Sequence, residues 1–297
     1  MGEPLLLHSL TFYADLIGRL ASVSSLPDVV EIGSQAGEMS EHLAEAAAER
    51  EGYLHVIEPF PSQRLLDLSR RAPSVRVIEG RSPAALADFP PAGLYVLDGD
   101  HNYATARGEL SAILDREGTH DSIVVMHDVG WPWGRRDMYY EPSALAPDDV
   151  HPHSFTRGVV LDGSLAAEGR GFRSEGHYAI ALHEGGPRNG VLTAIEDVLA
   201  EHGDITLMTT PLVFGLAVLM RRSAAQFEAV QSIMAPYVDN PTLAIMERNR
   251  IVLFLETLEL RDRQLRSRAG RWKARAASVR PVGSTNHWGG GARNTRG

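Results

Sequence analysis

Apolar residues along this chain fall into two alternating kinds of segment. The first kind is a short unbroken run of Val, Ile and Leu: DVVEI, YLHVI, VRVIEG, GLYVLDG and SIVVMHD, the last spanning Ser122–Asp128. Uninterrupted rather than alternating runs of this length predict strands covered on both sheet faces. The second kind carries apolar positions at helical spacing or strong helix formers: Leu5–Val23, Glu38–Arg50, SQRLLDLSRRA, the short SPAALADF with Ser82 as N-cap and Pro83 at its first position, and ATARGELSAILDREG. The alternation predicts a doubly wound α/β sheet whose ligands sit at the C-terminal ends of the strands. After Asp128 the rhythm breaks into VGWPWGRRDMYYEPSALAPDDVHPHSFTRG, rich in Pro, Gly, aromatics and charge. An irregular insertion of this length is a functional element unless it is disordered, and its aromatic content argues against disorder. A helix returns at Asn189–Gly203. DITLMTT and LVFGLAVLM, parted by a turn with Pro211, then predict an antiparallel pair closing the sheet, and Ala224–Met234 and Leu243–Arg268 read as helices.

The expected organisation is an N-terminal helix over 1–24 and a main domain over 25–222 with an insertion or lid at 129–188. C-terminal helices follow over 223–278, and a disordered basic tail over 279–297. Composition changes this picture in three respects. There is no cysteine, so disulfides and thiolate metal sites are excluded. No run reads as a signal peptide or is long enough to span a bilayer, which leads us to expect a cytoplasmic protein. The net charge of −9 is uneven: from Arg261 onward there are ten basic residues and one acid, so the preceding body is strongly acidic. An acidic body argues against broad nucleic-acid binding, and the basic end reads as a solvated helix and tail. The leucines at 253, 255, 258, 260 and 265 are only loosely at helical spacing, and we read them as packing on the body or on a neighbouring chain.

Chemistry concentrates at the strand ends. In EIGSQAG the first strand ends at Glu31, and Gly33 and Gly37 let the backbone approach a ligand closely. Glu58 ends the second strand, where a carboxylate accepts both ribose hydroxyls of a nucleoside. The fourth and fifth strands end in DGDHNY and MHD. Neighbouring parallel strands would bring Asp98 and Asp128 into one crevice, where a divalent cation relieves the repulsion between unpaired carboxylates.

Together these motifs resemble the class I S-adenosylmethionine-dependent methyltransferases, over about residues 25–222 and without the GxGxxG turn of NAD-binding domains. The resemblance implies a Rossmann-like seven-stranded sheet with a closing antiparallel pair. It implies that the turn at Glu31, Gly33, Ser34 and Gly37 holds the amino-acid half of the cofactor, that Glu58 holds its ribose, and that Arg81 and Ser82, after Gly80, border its adenine, with Asp98 also on the cofactor. The strand-end acids further resemble the metal-dependent O-methyltransferases of the catechol and macrolide-sugar branch. That branch implies a Mg²⁺ or other divalent cation, Mn²⁺ among them, at Asp98, His127 and Asp128, and His101 as general base beside Asp98. His127 stands where those relatives carry a carboxylate, which shifts the donor set toward Mn²⁺, Fe²⁺ or Zn²⁺. In the insertion, Trp131, Trp133, Tyr139 and Tyr140 are expected to wall an apolar substrate pocket, with Arg135 and Arg136 clamping an anionic group.

The expected activity is therefore methyl transfer from S-adenosylmethionine to a hydroxyl of a small molecule such as a sugar or natural-product intermediate. Metal-independent N-methylation and non-catalytic cofactor binding stand as alternatives. The expected partners are a small-molecule substrate and, through the terminal helices, a second copy of the chain; no membrane or nucleic acid is expected.

Overall fold

The computed structural model describes residues 8–278; of Asp88 and residues 268–278 only the backbone course is described. Five parallel strands follow the apolar runs: β1 (Val29–Ile32), β2 (Leu54–Ile57), β3 (Val75–Ile78), β4 (Leu94–Leu97) and β5 (Ile123–His127). Between them run α1 (Ala14–Val23, ahead of β1), α2 (Glu38–Ala48), α3 (Gln63–Arg71) and α4 (Tyr103–Leu114). The insertion adds β6 (Met138–Tyr139), β7 (His153–Ser154) and β8 (Ala179–Ala181). Then come α5 (Val191–Glu201), β9 (Ile205–Thr210), β10 (Leu216–Arg221), α6 (Phe227–Met234) and α7 (Pro241–Ser278).

The main sheet has seven strands in the order β3-β2-β1-β4-β5-β10-β9, with β10 antiparallel to both β5 and β9. Every interior strand is buried on both sides. In β4, Leu94 and Val96 face one core with α1, α2 and α6, whereas Tyr95 and Leu97 face a second core with α4 and α5. This double burial is why the strands read as unbroken apolar runs. The order reverses between β1 and β4, so the ends of these two strands open a crevice.

Four features differ from the sequence expectations. The first helix is a 3₁₀ turn, Leu10–Tyr13, leading into α1, because Ser9 caps at that point and accepts from Thr11 N. The expected residues 5–7 of that helix lie outside the described residues, as does the tail 279–297. The short helix after β3 is 3₁₀ over Ala84–Asp88, and Ser82 does not cap it: its hydroxyl donates to Glu109 on α4. The insertion folds as its own antiparallel sheet of order β6-β8-β7, and the helix expected at 243–268 is longer, with Asn240 Oδ1 accepting from Thr242 N and Leu243 N at its start.

Candidate active site

Gly33 adopts φ +80°, and a Cβ there would lie 2.4 Å from the carbonyl oxygen of Asp98, so only glycine lets the β1 turn press against the end of β4. Gly37, at φ +79°, opens α2. Glu58 locks this turn from the next strand. Its Oε2 accepts from Ser34 N and Gln35 N at 3.0 and 3.1 Å, and its Oε1 accepts from Phe60 N at 3.0 Å. A carboxylate retains further lone pairs after three such bonds, which leaves capacity for hydroxyls. Glu31 is buried and takes the Ser40 hydroxyl at 2.5 Å; burial, with Asp98 and Glu58 nearby, pushes its carboxyl up to about 8. Glu31 Oε1 and Ser34 Oγ are buried without a hydrogen-bond partner. Two orphaned polar atoms lining one glycine turn fit an amine- and carboxylate-bearing ligand there.

The loop after β3 faces the same crevice. Arg81 pairs with Glu141 of the insertion and lies 5.9 Å from the Phe60 ring, and Ser82 is held by Glu109. Burial raises the Glu109 carboxyl to about 8.

The parallel register pairs Leu97 with Met126, which sets Asp98 beside the end of β5. His127 Nδ1 lies 3.0 Å from Asp98 Oδ1 and 3.8 Å from Asp128 Oδ1. Its Nε2 donates to the carbonyl of Val213 at 2.8 Å. Burial works against the His127 cation, but the charges of Asp128 and Asp98 outweigh it and push the group up to about 9. Asp128 takes φ +60°, an uncommon conformation for a residue with a side chain, and its Oδ1 is buried without a hydrogen-bond partner. One donor atom each from Asp98, His127 and Asp128 lie within 4.8 Å of one another. This mixed O/N donor set, with one oxygen orphaned, fits a divalent cation. His101, just ahead of α4, points Nε2 at the same gap, 3.1 Å from Asp128 Oδ2 and 3.9 Å from Asp98 Oδ1.

The insertion is bound to this turn along its first strand. Met138 N donates to the His101 carbonyl at 3.0 Å, Tyr140 N to Asp100 Oδ1 at 3.2 Å, and Tyr103 N to Asp137 Oδ1 at 2.8 Å. Asp137 also accepts from Gly190 N at 2.6 Å and from the Tyr139 hydroxyl at 2.8 Å, so one buried carboxylate serves the starts of both α4 and α5.

Of the six insertion residues expected to meet substrate, the structure brings Tyr140 to the site, its ring centroid 6.5 Å from that of His101. The other five serve the insertion and its junction with α5. Trp133 is buried against Phe172 and Tyr178, Trp131 donates to the Val160 carbonyl at 3.1 Å, and Tyr139 is buried on Asp137. Arg135 forms a two-pronged pair with Glu196 of α5 at 2.5 and 2.6 Å. Arg136 is 1% exposed and donates to the carbonyls of Ala181 and Gly163, so neither arginine reaches the crevice as a clamp. The expectation fails because bidentate geometry serves carbonyls and an internal carboxylate as well as it serves a ligand. Two residues without a sequence signal complete the aromatic surround: Tyr178, edge-on to Tyr140 at 6.2 Å, and Tyr13, edge-on to His127 at 6.3 Å.

Residues 30–129 match the family described as a methyltransferase domain. No curated protein matches the chain. Among solved structures, it is similar to the SAH-bound methyltransferase PaMTH1 of Podospora anserina, with 16% identity over 73% of this chain and 81% of that one and a TM-score of 0.44. It is also similar to the O-methyltransferase TomG of Streptomyces achromogenes, with 18% identity over 72% of this chain and 82% of that one and a TM-score of 0.43. That match covers 100 of the 297 residues, from β1 to just past β5, the part of the sheet that carries the glycine turn and the strand-end acids.

Proposed function

We propose that the enzyme methylates a hydroxyl of a small molecule, such as a sugar or natural-product intermediate, with assistance from a divalent cation. The observation that carries this reading is the convergence of Asp98, His127 and Asp128 on one gap that His101 also faces. When bound, S-adenosylmethionine supplies a sulfonium methyl, and a cation held by these three residues supplies a Lewis acid that lowers the pKa of a hydroxyl.

The chain's own residues do the rest. The Glu31–Gly37 turn and Glu58 hold the donor against the β1 end, with Arg81 and Ser82 on its adenine side. Asp98, His127 and Asp128 fix the acceptor oxygen at the neighbouring strand ends, and in-line alignment of donor and acceptor supplies most of the acceleration. As the carbon–oxygen bond forms and the carbon–sulfur bond breaks, His101 Nε2 takes the hydroxyl proton. Tyr140 and Tyr178 screen this gap from water. The nitrogen ligand favours Mn²⁺ or Fe²⁺ over Mg²⁺.

One observation favours a second reading. His127 as an imidazolium would offset one of the two carboxylate charges without a cation, which a metal-independent enzyme would use. The separating experiment is turnover of S-adenosylmethionine to S-adenosylhomocysteine over a panel of hydroxylated and amino acceptors, with and without EDTA. Loss of turnover with EDTA and recovery with Mn²⁺ supports the metal-assisted reading, whereas turnover indifferent to EDTA overturns it. No turnover with any acceptor, in a protein that binds the cofactor, would favour a binding role.

A further inference from the structure

The helix α7 carries five of the eleven large hydrophobic side chains that stand exposed among the described residues: Ile245, Met246, Leu253, Leu260 and Leu265. Three of them recur at intervals of seven: Met246 is 57% exposed, Leu253 63% and Leu260 57%. At 3.6 residues per turn a seven-residue repeat keeps one face of a helix, so these three form a stripe about 21 Å long. The opposite face is already in use. Ile251, Phe254, Leu255 and Leu258 pack on the insertion, Phe254 edge-on to Phe172 at 5.7 Å. Asp262 receives both terminal nitrogens of Arg173, at 3.1 and 2.9 Å. The helix is thus anchored on one side, and its other side presents an apolar seam to solvent, the kind of patch that marks an interaction surface.

We propose that this seam pairs antiparallel with the α7 of a second copy of the chain, Leu253 against Leu253 and Met246 against Leu260. Charge selects the occupant and its direction. From Arg261 onward the sequence holds ten basic residues and one acid, against a net −9 for the whole chain, so the body before it is strongly acidic. A second copy offers that acidic body, together with an identical apolar stripe, to the basic end of α7. A two-fold antiparallel arrangement holds the two basic ends apart, each directed toward the other chain's body, and the same patch serves both sides as an isologous contact demands. Parallel pairing would set the two basic ends side by side. The seam spans two heptads, so the pairing is concentration-dependent.

The natural chain has no cysteine, which allows a direct test of geometry on the full-length protein. Sedimentation of the wild type is expected to move toward twice the 32.4 kDa chain mass with rising concentration. Leu253→Glu should remain at one chain mass at the same concentration, with an unchanged circular dichroism spectrum and S-adenosylhomocysteine affinity within about twofold. Under oxidation, Leu253→Cys should cross-link to itself. Met246→Cys should cross-link only when mixed with Leu260→Cys. A wild type that stays monomeric, a Leu253→Glu variant that still dimerises, or Met246→Cys joining to itself would each overturn the proposal. So would a monomer whose basic end instead binds heparin or RNA.

Discussion

The Val213 carbonyl accepts a hydrogen bond from His127 Nε2 at 2.8 Å, and this bond across β5 and the β9–β10 turn decides which nitrogen of His127 faces the site. With Nε2 committed as donor, Nδ1 is the atom turned to Asp98 and Asp128, as in metal-binding histidines oriented by a carbonyl behind them. In the metal-free protein Nδ1 holds a proton, its affinity for it pushed up to about 9 by the two carboxylates. A cation at that atom must displace the proton, so metal affinity is predicted to rise with pH, about tenfold per unit below pH 9, and to level off above it. Titration calorimetry with Mn²⁺ between pH 6.5 and 9, in buffers of different ionisation enthalpy, measures both the slope and the released proton. An affinity flat in pH over this range would remove His127 from the ligand set.

The two acids should separate catalysis from cofactor binding. Asp128→Ala removes the buried, unpartnered Oδ1 and the partner of His101; Asp98→Ala removes the partner of His127. Each substitution is expected to cut turnover at least about 100-fold, the scale of losing a metal ligand. S-adenosylhomocysteine should bind within a few-fold of wild type, because Glu31, Gly33 and Glu58 remain. Equal losses in both readouts would assign these acids to the cofactor instead.

Gly33→Ala should do the reverse. A methyl group 2.4 Å from the Asp98 carbonyl oxygen, on a backbone at φ +80°, forces the β1 turn away from β4. We expect a loss of about 2–4 kcal/mol of stability and a cofactor affinity too weak to measure by calorimetry. Wild-type affinity in this variant would exclude close backbone approach at the turn.

The two insertion arginines should differ from each other and from a substrate clamp. Arg135→Ala breaks an exposed pair with Glu196 and is predicted to change stability by less than about 1 kcal/mol, with the acceptor KM within twofold. Arg136→Ala strips the Ala181 and Gly163 carbonyls of a buried donor, with an expected cost of about 2–4 kcal/mol in chemical denaturation. A KM that rises more than tenfold in Arg135→Ala would restore its role in anion binding.

What could be read from the sequence follows from what is local. The seven strands and their closing pair are written in unbroken apolar runs, and the strand-end residues Glu31, Gly33, Glu58, Asp98, His127 and Asp128 follow from parallel geometry once the strands are known. The insertion is different. Its aromatics and arginines have the same composition whether they face a substrate or one another, and only tertiary contacts separate Tyr140, which reaches His101, from Tyr139, which is spent on Asp137. Tyr13 and Tyr178 reach the site from distant segments, and no spacing in the chain signals either. The small sheet β6-β8-β7 pairs two- and three-residue strands across long separations, too short to leave a period.

Two buried carboxyls should give the cofactor- and metal-free protein an unusual pH dependence of stability. Glu31 and Glu109 each have a folded-state pKa of about 8 against an ordinary 4.5, chiefly because burial penalises their charged forms. Between those values the native state holds two protons that the unfolded chain has released. Stability is therefore highest below about pH 4.5 as far as these two groups are concerned, and it falls as pH rises through 8, by something on the order of a few kcal/mol per group. Glu109 accepts the Ser82 hydroxyl on its Oε1, so Glu109→Gln mimics the protonated form with little change of shape. Denaturant titrations at pH 5, 7 and 9 should show the wild type losing stability across the series and Glu109→Gln losing less, with the larger difference between them at pH 9. An identical slope in the two proteins would mean that Glu109 is ionised in the folded state, with its charge met by a partner other than Ser82.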